Sequence, residues 1–417
     1  MTHREFKSTG IEEQAAFLAR QFEARYGRAP TWLVAAPGRV NVIGEHTDYN
    51  GGFVLPMAID RYAMVAAGPV EAGDGVGERE WFWVSEQTLE PLRFSTDEPI
   101  RQGLPAWGNY VRGVVAGFQD RGARVPGLVA VLRSTVPMGA GLSSSAALEV
   151  ATAMLVEETT GLRLEPVEKA LLCQRAEQEF AGVPCGIMDQ FVSVMAEADA
   201  LMLLDCRSRV TESVRFDSED LAVLVADTLV RHALTDGSYA ARREQCETAA
   251  RFLGVGLLRE ATLSQLEEAR LRMDPVLFKR ARHVIMEDQR TLAVVESIRY
   301  GDWAAVGSAM YGSHESLRVD FEVSCRELDL LVDLARSLGP EHGVVGARMT
   351  GGGFGGCTVT LVHTNSVEEV SAHMTRHYRE ETGVEPVMFL TRPSGGAQVL
   401  RTVTENRSRY FPELNRS

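Results

Sequence analysis

The sequence predicts an α+β protein of two domains, and three observations lead to this prediction. The chain has 417 residues, which is more than a single hydrophobic core usually organises. Apolar patterning in the first half alternates between strands and helices, whereas the second half is mainly helical until about residue 343, where strands return. Polarity rises over residues 206–220, so the predicted domains are residues 1–205 and 206–417.

Local signals assign most elements of the first half. Apolar residues at helical spacing predict a helix over residues 11–26, with Gly27 as its stop. A short strand is predicted over residues 31–36, ended by a turn at Pro37 and Gly38. The remaining predicted elements of this half are β-rich segments at 53–70, 128–135 and 201–205, an exposed loop over 71–80 and a helix from Ser143.

Helical periodicity predominates in the second half, after a strand predicted over residues 221–227. From about residue 343 to 392 the pattern becomes strand, Gly-rich turn, strand, helix and strand. The last helix is predicted to begin with a capping box, in which Glu369 follows the cap residue Ser366 by three positions. The predicted helices before it cover residues 239–254, 275–300, 303–318 and 325–338.

Composition narrows the range of partners. The formal net charge is −14, which disfavours binding to nucleic acid or to an anionic membrane surface. The N-terminal residues lack the order of a signal peptide, and no uninterrupted apolar run approaches the roughly 18 residues of a membrane span. The six cysteines are scattered without a zinc-ligand spacing, so the predicted location is the cytoplasm. If the chain binds an anionic ligand, local dipoles and a metal must overcome the repulsion from this net negative charge.

Residues 137–147, PMGAGLSSSAA, join a predicted strand to a predicted helix and form one candidate site. The glycines let backbone N–H groups approach a ligand, and the serines lie at a helix N-terminus, which attracts anions. The segment lacks the GxxxxGKS or GxxxxGKT pattern of a P-loop. It therefore predicts a lysine-free phosphate cradle in which a serine hydroxyl can also bind Mg²⁺, and the alternative is an ordinary capped helix.

Residues 37–52, PGRVNVIGEHTDYNGG, are densely polar and lie between two predicted strands. A sugar needs such a directional set of donors and acceptors, because each hydroxyl must be paired once it leaves water. Two carboxylates and a histidine, here Glu45, Asp48 and His46, can hold neighbouring hydroxyls. The segment is therefore a candidate sugar site, and the alternative is a solvated polar loop.

Residues 349–357, MTGGGFGGC, contain a GxGxxG pattern. We reject a dinucleotide-binding interpretation because that fingerprint opens a helix, whereas residues 357–363 have the pattern of a strand. A Gly-rich turn between two strands instead lets the backbone approach a ligand or another domain closely. The alternative interpretation is a flexible hairpin loop.

Further residues are candidates for chemistry. Asp189 lies in a Gly-marked break between helical segments and is either a general base or a helix cap. Glu177, on the preceding helix, is either a second Mg²⁺ ligand or part of a solvated face, and Trp107 either stacks on a base or packs in the core. His373 and His377 have the i,i+4 spacing of metal-binding histidines but lack the glutamate of the metalloprotease motif.

Together these motifs resemble galactokinases, which are members of the GHMP small-molecule kinases. PGRVNVIGEHTDYNGG, PMGAGLSSSAALEVA, CGIMDQF and MTGGGFGGC occur in the order and at the separations typical of that family, from about Ala36 to Leu361. GEHTDYN is specific to galactokinases and near relatives, whereas GLSSSA and GGGFGG mark the superfamily. The resemblance implies that ATP phosphorylates galactose at its C1 hydroxyl, the first committed step of galactose catabolism by the Leloir pathway.

The resemblance also implies roles for individual residues. Asp189 is the expected catalytic base, and Arg39 is expected to pair with it and to stabilise charge in the transition state. ATP is expected with Mg²⁺, which Ser145 and Glu177 would bind. The expected galactose-binding residues are Glu45, His46, Thr47, Asp48, Gly186, Tyr239 and Gly352. The expected nucleotide-binding residues are Gly139, Ala140, Gly141, Leu142, Ser143, Ser144 and Ser145 at the triphosphate, Trp107 in the adenine pocket and Ser85 as a further contact.

For the fold, the family implies an N-terminal α/β domain like domain 2 of ribosomal protein S5 and a C-terminal α/β domain that contains a ferredoxin-like fold. The active site is expected in the cleft between them, in a monomer that binds galactose and MgATP but neither nucleic acid nor membrane. Three alternatives stay open: a kinase for N-acetylgalactosamine or arabinose, a non-catalytic galactose sensor, and an ATP-binding scaffold whose sugar motif is structural. The intact GLSSSA segment and Asp189 argue against the sensor.

Overall fold

Three β-sheets organise the computed structural model, which describes residues 10–216, 218–231 and 237–402. The strands are β1 (Trp32–Asn41), β2 (Phe53–Val54), β3 (Pro56–Pro69), β4 (Glu80–Ser85), β5 (Leu92–Ser95), β6 (Leu128–Ser134), β7 (Ala200–Asp205), β8 (Val210–Arg215), β9 (Leu221–Asp227), β10 (Val344–Thr350), β11 (Cys357–His363), β12 (Val387–Thr391) and β13 (Gln398–Thr402). The largest sheet has the order β13–β1–β3–β6–β4–β5, with β4 and β6 parallel and the other neighbours antiparallel. An antiparallel sheet has the order β10–β11–β9–β12, and a small sheet has the order β2–β7–β8.

Helices cover the sheets and connect their strands. They are α1 (Ile11–Tyr26), α2 (Gly108–Gln119), α3 (Ser144–Thr160), α4 (Pro166–Ala176), α5 (Met188–Met195), α6 (Ser238–Leu253), α7 (Leu263–Ala269), α8 (Pro275–Arg299), α9 (Trp303–Ser316), α10 (Arg326–Leu338) and α11 (Val367–Thr382). A π-helical turn extends α4 over Glu177–Ala181 and another extends α9 over Leu317–Phe321, and such turns often occur at functional sites. Among the described residues, no helix combines the length and apolar character needed to cross a membrane.

Strand β1 is buried on both faces, as its nearly continuous apolar sequence predicts. Side chains along a strand alternate between the faces of its sheet, so Leu33 packs with Phe22 of α1 on one face. On the other face Val34 belongs to the main core, which also contains the buried residues of α3. The strand therefore holds Arg39, near its end, in a fixed position relative to α3.

The four-stranded sheet organises the second half of the chain. Helices α10 and α11 share an apolar core with it that includes Leu224, Val362 and Tyr378. On α9 the backbone comes very close to β10, because a Cβ at Gly307 would lie 1.9 Å from the Val345 carbonyl oxygen. A glycine at this position lets the helix pack directly on the strand that leads into the Gly-rich turn.

The predicted α+β class is confirmed, and two local predictions are wrong. Strand β1 does not end at Pro37 and Gly38 but continues to Asn41, with an irregular register between Pro37 and Arg39. The phosphate-cradle segment approaches closely here, since a Cβ at Gly38 would lie 2.6 Å from the Leu142 carbonyl oxygen. Ser366 makes no capping hydrogen bond, because a short 3₁₀ turn over 364–366 leads into α11. The predicted capping box is therefore absent.

The domain boundary after residue 205 stays a prediction. Strands β7 and β8 form an antiparallel hairpin across this point. Strand β13, from the far end of the described chain, pairs with β1 at the edge of the largest sheet. Pairing between strands thus joins residues on both sides of the point where the polarity of the sequence changes.

Candidate active site

One cleft collects the polar segments that the sequence singled out. Strand β1 contributes Arg39, the turn before α3 contributes the glycine–serine segment, and the start of α5 contributes Asp189. A second cavity adjoins the first, and Ser144 and Ser145 line both. The predicted site residues that line the first cavity are Arg39, Glu45, His46, Asp48, Gly139, Gly141, Leu142, Ser143, Ser144, Ser145, Glu177, Gly186, Asp189, Tyr239 and Gly352.

Arg39 and Asp189 form an ion pair inside the cleft. Arg39 donates from Nε to Oδ1 and from Nη2 to Oδ2 of Asp189, each at 2.8 Å, a two-point contact that fixes both side chains. Burial acts to lower the pKa of Arg39, but the carboxylates of Asp189 and Glu45 outweigh it, and the pKa is raised. Ser143 Oγ donates to Asp189 at 2.6 Å. The carboxylate is thus held from two directions while 23% of its side chain stays exposed.

The glycine–serine segment forms a tight turn ahead of α3. Gly139, Gly141 and Ser143 have positive φ values of 66°, 74° and 60°, a conformation that is uncommon for serine and often found at functional sites. Arg39 Nη1 donates to the Gly141 carbonyl at 2.6 Å, which ties the turn to the ion pair. Helix α3 begins at Ser144, and its unpaired N–H groups and dipole favour an anion at this point.

The Gly-rich turn between β10 and β11 packs against the glycine–serine segment. A Cβ at Gly351 would lie 2.7 Å from the Gly141 carbonyl oxygen, and a Cβ at Gly356 would lie 2.8 Å from that of Ala140. Glycine at both positions lets backbone from the second half of the chain support the cradle. The close approach predicted for this turn is confirmed, and Gly352 of the same turn also lines the cleft.

His46 organises the polar loop, the name used here for residues 44–53. Burial lowers the pKa of His46 to about 3, so the ring is neutral at physiological pH. Its Nε2 lies 3.2 Å from the Gly352 carbonyl oxygen and therefore carries the proton, while Nδ1 accepts from the Tyr49 hydroxyl at 2.8 Å. The Tyr239 ring lies 5.5 Å from both His46 and Tyr49, centroid to centroid. His46 and Tyr239 of this aromatic group line the cleft.

The two carboxylates of the polar loop have different surroundings. Glu45 Oε1 accepts from the Gly351 N–H at 2.7 Å, so a backbone group of the Gly-rich turn fixes it. Burial, reinforced by the charge of Asp189, raises the pKa of Asp48 to about 6. A Cβ at Gly186 would lie 1.6 Å from Asp48 Oδ2. A side chain at position 186 would therefore force the Asp48 carboxylate to move.

Ser145 and Glu177 meet at the side of the cleft nearest α3. Ser145 hydrogen-bonds to Glu177, and Gln190 Nε2 donates to Glu177 Oε2 at 2.7 Å. Burial, together with the charge of Asp189, raises the pKa of Glu177 to about 7. A hydroxyl and a carboxylate are oxygen donors of the kind Mg²⁺ prefers, and Mg²⁺ usually keeps waters and substrate phosphate oxygens as its other ligands. The residues present therefore fit a magnesium ion.

The adjoining cavity is mainly apolar. Trp107 Nε1 donates to the Glu90 carbonyl at 3.4 Å, which orients the indole, and Ser85 hydrogen-bonds with Gln87. The other residues that line this cavity are Ala63, Thr88, Tyr110, Leu132, Ser134, Met138 and Leu148, besides the shared Ser144 and Ser145. An apolar slot beside a phosphate-favouring helix terminus suits a heterocyclic base.

Two of the predicted ligand-binding residues line neither cavity. Thr47 is fully buried, and its hydroxyl lies 2.8 Å from the Gly44 carbonyl and 2.7 Å from the Phe53 carbonyl. It closes the base of the polar loop instead of facing the cleft. Ala140 is also buried, and its carbonyl oxygen faces Gly356. Both residues therefore help to hold neighbouring backbone in place, and the ligand contacts expected of them stay predictions.

Sequence analysis missed polar residues behind the site. Gln190 Nε2 donates to carboxylates of both Glu177 and Glu149, at 2.7 and 3.0 Å. Glu149 is fully buried, and burial raises its pKa well above the usual range. The signal for Gln190 was its position next to Asp189 in the chain. Glu149 had no such signal, because it lies within an Ala-rich helix whose pattern predicts only packing.

Comparisons with known proteins agree with this geometry. The galactokinase galactose-binding signature matches residues 20–69, the GHMP kinases N terminal domain matches residues 109–197, and the GHMP kinases C terminal matches residues 294–380. Galactokinases of Homo sapiens and Bos taurus are each 44% identical to the chain, over 94% and 93% of it, and 97% of each relative is covered.

Solved structures extend the comparison to the fold. A galactokinase of Lactococcus lactis complexed with galactose matches with a TM-score of 0.86 and 30% identity, over 92% of this chain and 99% of its own. The mevalonate kinase of Methanococcus jannaschii matches with a TM-score of 0.60 at 17% identity, over 88% of this chain and 100% of its own, a likeness of fold alone. The predicted two-domain GHMP kinase fold is confirmed.

Proposed function

We propose a catalytic arrangement for this chain, which belongs to the galactokinase family and phosphorylates galactose with ATP. Asp189 accepts the proton of the galactose C1 hydroxyl as that oxygen bonds to the γ-phosphorus of ATP, and ADP leaves. The observation that carries this proposal is the Arg39–Asp189 ion pair, which lies in the same cleft as the phosphate cradle.

Hydrogen bonding prepares Asp189 for the role of base. A carboxylate has about four acceptor positions, and Arg39 and Ser143 occupy three of them in this site. A position therefore remains for the sugar hydroxyl on the part of the side chain exposed to the cleft. Because donors on two sides restrict rotation of the carboxylate, the proton is transferred over a fixed short distance.

Arg39 links the group that holds the phosphates to the base that acts on the sugar. Phosphoryl transfer depends mainly on positioning and on neutralising the charge of the phosphate oxygens. Residues 139–145 would hold the triphosphate at the N-terminus of α3, and Arg39 contacts both the Gly141 carbonyl of this segment and Asp189. One guanidinium thus fixes the distance between the phosphate cradle and the base.

Ser145 and Glu177 are the proposed ligands of the Mg²⁺ that accompanies ATP. When bound, Mg²⁺ neutralises negative charge on phosphate oxygens. Gln190 orients the Glu177 carboxylate by its hydrogen bond. The adjoining apolar cavity, with Trp107 and Ser85 in its wall, is the proposed adenine pocket.

The polar loop is the proposed galactose site. Glu45 and Asp48 present carboxylate oxygens that accept sugar O–H groups, and Gly186, Gly352 and Tyr239 line the space beside them. His46 uses both ring nitrogens within the protein, so we propose that it sets the wall against which the sugar lies. The alternative of a kinase for N-acetylgalactosamine or arabinose is decided by the sugar panel described next, and the monomeric state and the cytoplasmic location stay predictions.

Release of ADP with galactose, glucose, N-acetylgalactosamine and arabinose, for the wild type and Asp189→Asn, tests the proposal. We expect strong dependence on galactose, and a loss of kcat of roughly 10³-fold in the variant because it lacks the base. Calorimetry should show near-normal galactose binding by the same variant. The matched control is Asp97→Asn, because Asp97 pairs with Arg79 at the surface and its replacement should leave kcat unchanged. Wild-type turnover by Asp189→Asn would remove the assignment of the base.

A further inference from the structure

One face of α8 contacts the backbone of the polar loop at both of its ends. Glu287 Oε1 accepts from the Gly44 N–H at 3.0 Å, and Asp288 Oδ1 accepts from the Phe53 N–H at 2.8 Å. One turn earlier on the helix, His283 Nε2 lies 3.1 Å from the Glu45 carbonyl oxygen and donates to it. His283 and Glu287, four positions apart, lie on the same side of the helix, and Asp288 is the next residue along it. A single rigid element thus binds three backbone groups of one loop.

These helix residues are buried and have well-defined partners. His283 and Glu287 are 0% exposed and Asp288 is 8% exposed. Burial alone would raise the pKa of Glu287, but the Arg290 guanidinium, 2.8 Å away, acts together with His283, Arg348 and the Ser313 hydrogen bond to outweigh it, and the pKa is about 2. Glu287 is therefore a carboxylate at physiological pH. A backbone N–H that loses a buried acceptor is costly, so these contacts define where the loop backbone lies.

Glycines of the loop allow the helix to come this close. A Cβ at Gly52 would lie 2.2 Å from Asp288 Oδ1, and a Cβ at Gly44 would lie 3.0 Å from Thr291 Oγ1. The loop backbone is thus packed directly on the face of α8, without intervening side chains at these two points. Gly44 and Gly52 of the motif GEHTDYNGG are therefore explained by the helix as well as by the turn.

We propose that Glu287 and Asp288 are positioning residues for galactose binding. Neither lines the cleft, and each fixes one end of the loop whose side chains Glu45 and Asp48 face it. A loop fixed at both ends holds these carboxylates ready for the sugar, so less ordering is needed when galactose binds. The inference rests on the proposed contact of Glu45 and Asp48 with galactose.

Two substitutions of Asp288 separate positioning from general stability. Asp288→Leu keeps the branched shape of the side chain but removes the acceptor, and we expect KM for galactose to rise roughly tenfold because the loop end is released. KM for ATP should change less than about twofold, since the cradle is held by other residues. Asp288→Asn keeps an acceptor oxygen and should restore KM for galactose close to the wild-type value. Glu296→Ala, an exposed site on the same helix, is the matched control.

Three outcomes would overturn the inference. One is a lower Tm for Asp288→Leu with an unchanged KM for galactose, and another is an equal rise of both KM values. Should Asp288→Leu not fold, hydrogen exchange of the wild-type enzyme decides: the Gly44 and Phe53 amides should be protected without galactose, and rapid exchange of either would contradict the proposal. Glu45→Gln separates the two proposals. If it raises KM for galactose while Asp288→Leu does not, the galactose site stands and only the role of α8 fails.

Discussion

The phosphate cradle and the polar loop are built in different ways. The cradle, residues 139–145, gets its shape from residues with positive φ, such as Gly139 and Ser143, and from the start of α3. The polar loop gets its shape from buried side chains of α8, which lie 243 and 235 positions away from the groups they bind. The shape of the first comes mainly from local backbone conformation, and the shape of the second comes mainly from tertiary contacts. Local sites can be recognised from a short motif, whereas the geometry of tertiary sites depends on distant residues.

This difference has a chemical reason. Phosphate is recognised by backbone N–H groups and a helix dipole, which glycine and serine provide by themselves. A sugar is recognised by side-chain groups with fixed directions, so the loop that carries them must be immobilised. In this chain buried carboxylates perform that task, and they do so from outside the cleft.

Arg39→Met should disturb the phosphate cradle and the base Asp189 at once, and of the three variants that follow it should have the largest effect. It removes the partner of Asp189 and the donor to the Gly141 carbonyl. We expect kcat to fall by roughly 10²- to 10³-fold, the range seen when a preorganised charge-stabilising group is lost. Arg39→Lys should recover only part of this loss, because lysine cannot make the two-point contact. Steady-state ADP release measures both, and nearly normal kcat in Arg39→Met would contradict the shared role.

Asp48→Asn tests how much the buried charge of Asp48 in the polar loop lowers the stability of the fold. The pKa of Asp48 is raised to about 6 from 3.8, so between these values the native state binds more protons than the unfolded state. Stability from this group is therefore greatest at low pH and falls as pH rises toward 6. The free energy of unfolding of the variant, relative to that of the wild type, should be higher at about pH 8 than at about pH 4 by on the order of 2 kcal/mol. Galactose affinity of the variant should fall. Denaturant unfolding at both pH values measures this, and an equal difference at each would refute it.

Gly356→Ala should disturb the cradle alone and have the smallest effect. Its Cβ would lie 2.8 Å from the Ala140 carbonyl oxygen, at a φ of +86°. We expect KM for ATP to rise roughly fivefold because the cradle is displaced, with KM for galactose unchanged. Gly383→Ala is the matched control, because it has a similar φ of +73° but open space around it. An equal rise of KM for ATP in the two variants would show that backbone strain alone causes the effect, and would contradict a displacement of the cradle.

The sequence predicted those parts of the molecule whose structure depends on residues close together in the chain. The bounds of α1 agree with its apolar periodicity and with Gly27, and the cradle and Asp189 were recognised from short motifs. The family likeness added Arg39 and Tyr239, both of which line the cleft. In each case a residue type and its immediate neighbours were enough, because the chemistry depends on the backbone next to them.

The sequence could not predict which way a side chain points or which distant residues it contacts. Thr47 lies among cleft residues in the chain, yet its hydroxyl contacts the carbonyls of Gly44 and Phe53. Asp288 looks like an ordinary charged residue on an amphipathic helix, and only the folded chain shows its bond to the Phe53 N–H. Pro37 predicted a turn, but pairing of β1 with β3 overrides the local preference. Tertiary contacts decided each of these cases.

The pairing of β13 with β1 has a consequence for biosynthesis. Strand β1 has β3 on one side, and its other side has no partner until residues 398–402 have left the ribosome. A long apolar strand with a free edge is prone to pair with other chains. Synthesis of β13 therefore protects the strand that carries Arg39, and nascent chains halted before residue 398 should depend on chaperones to stay soluble.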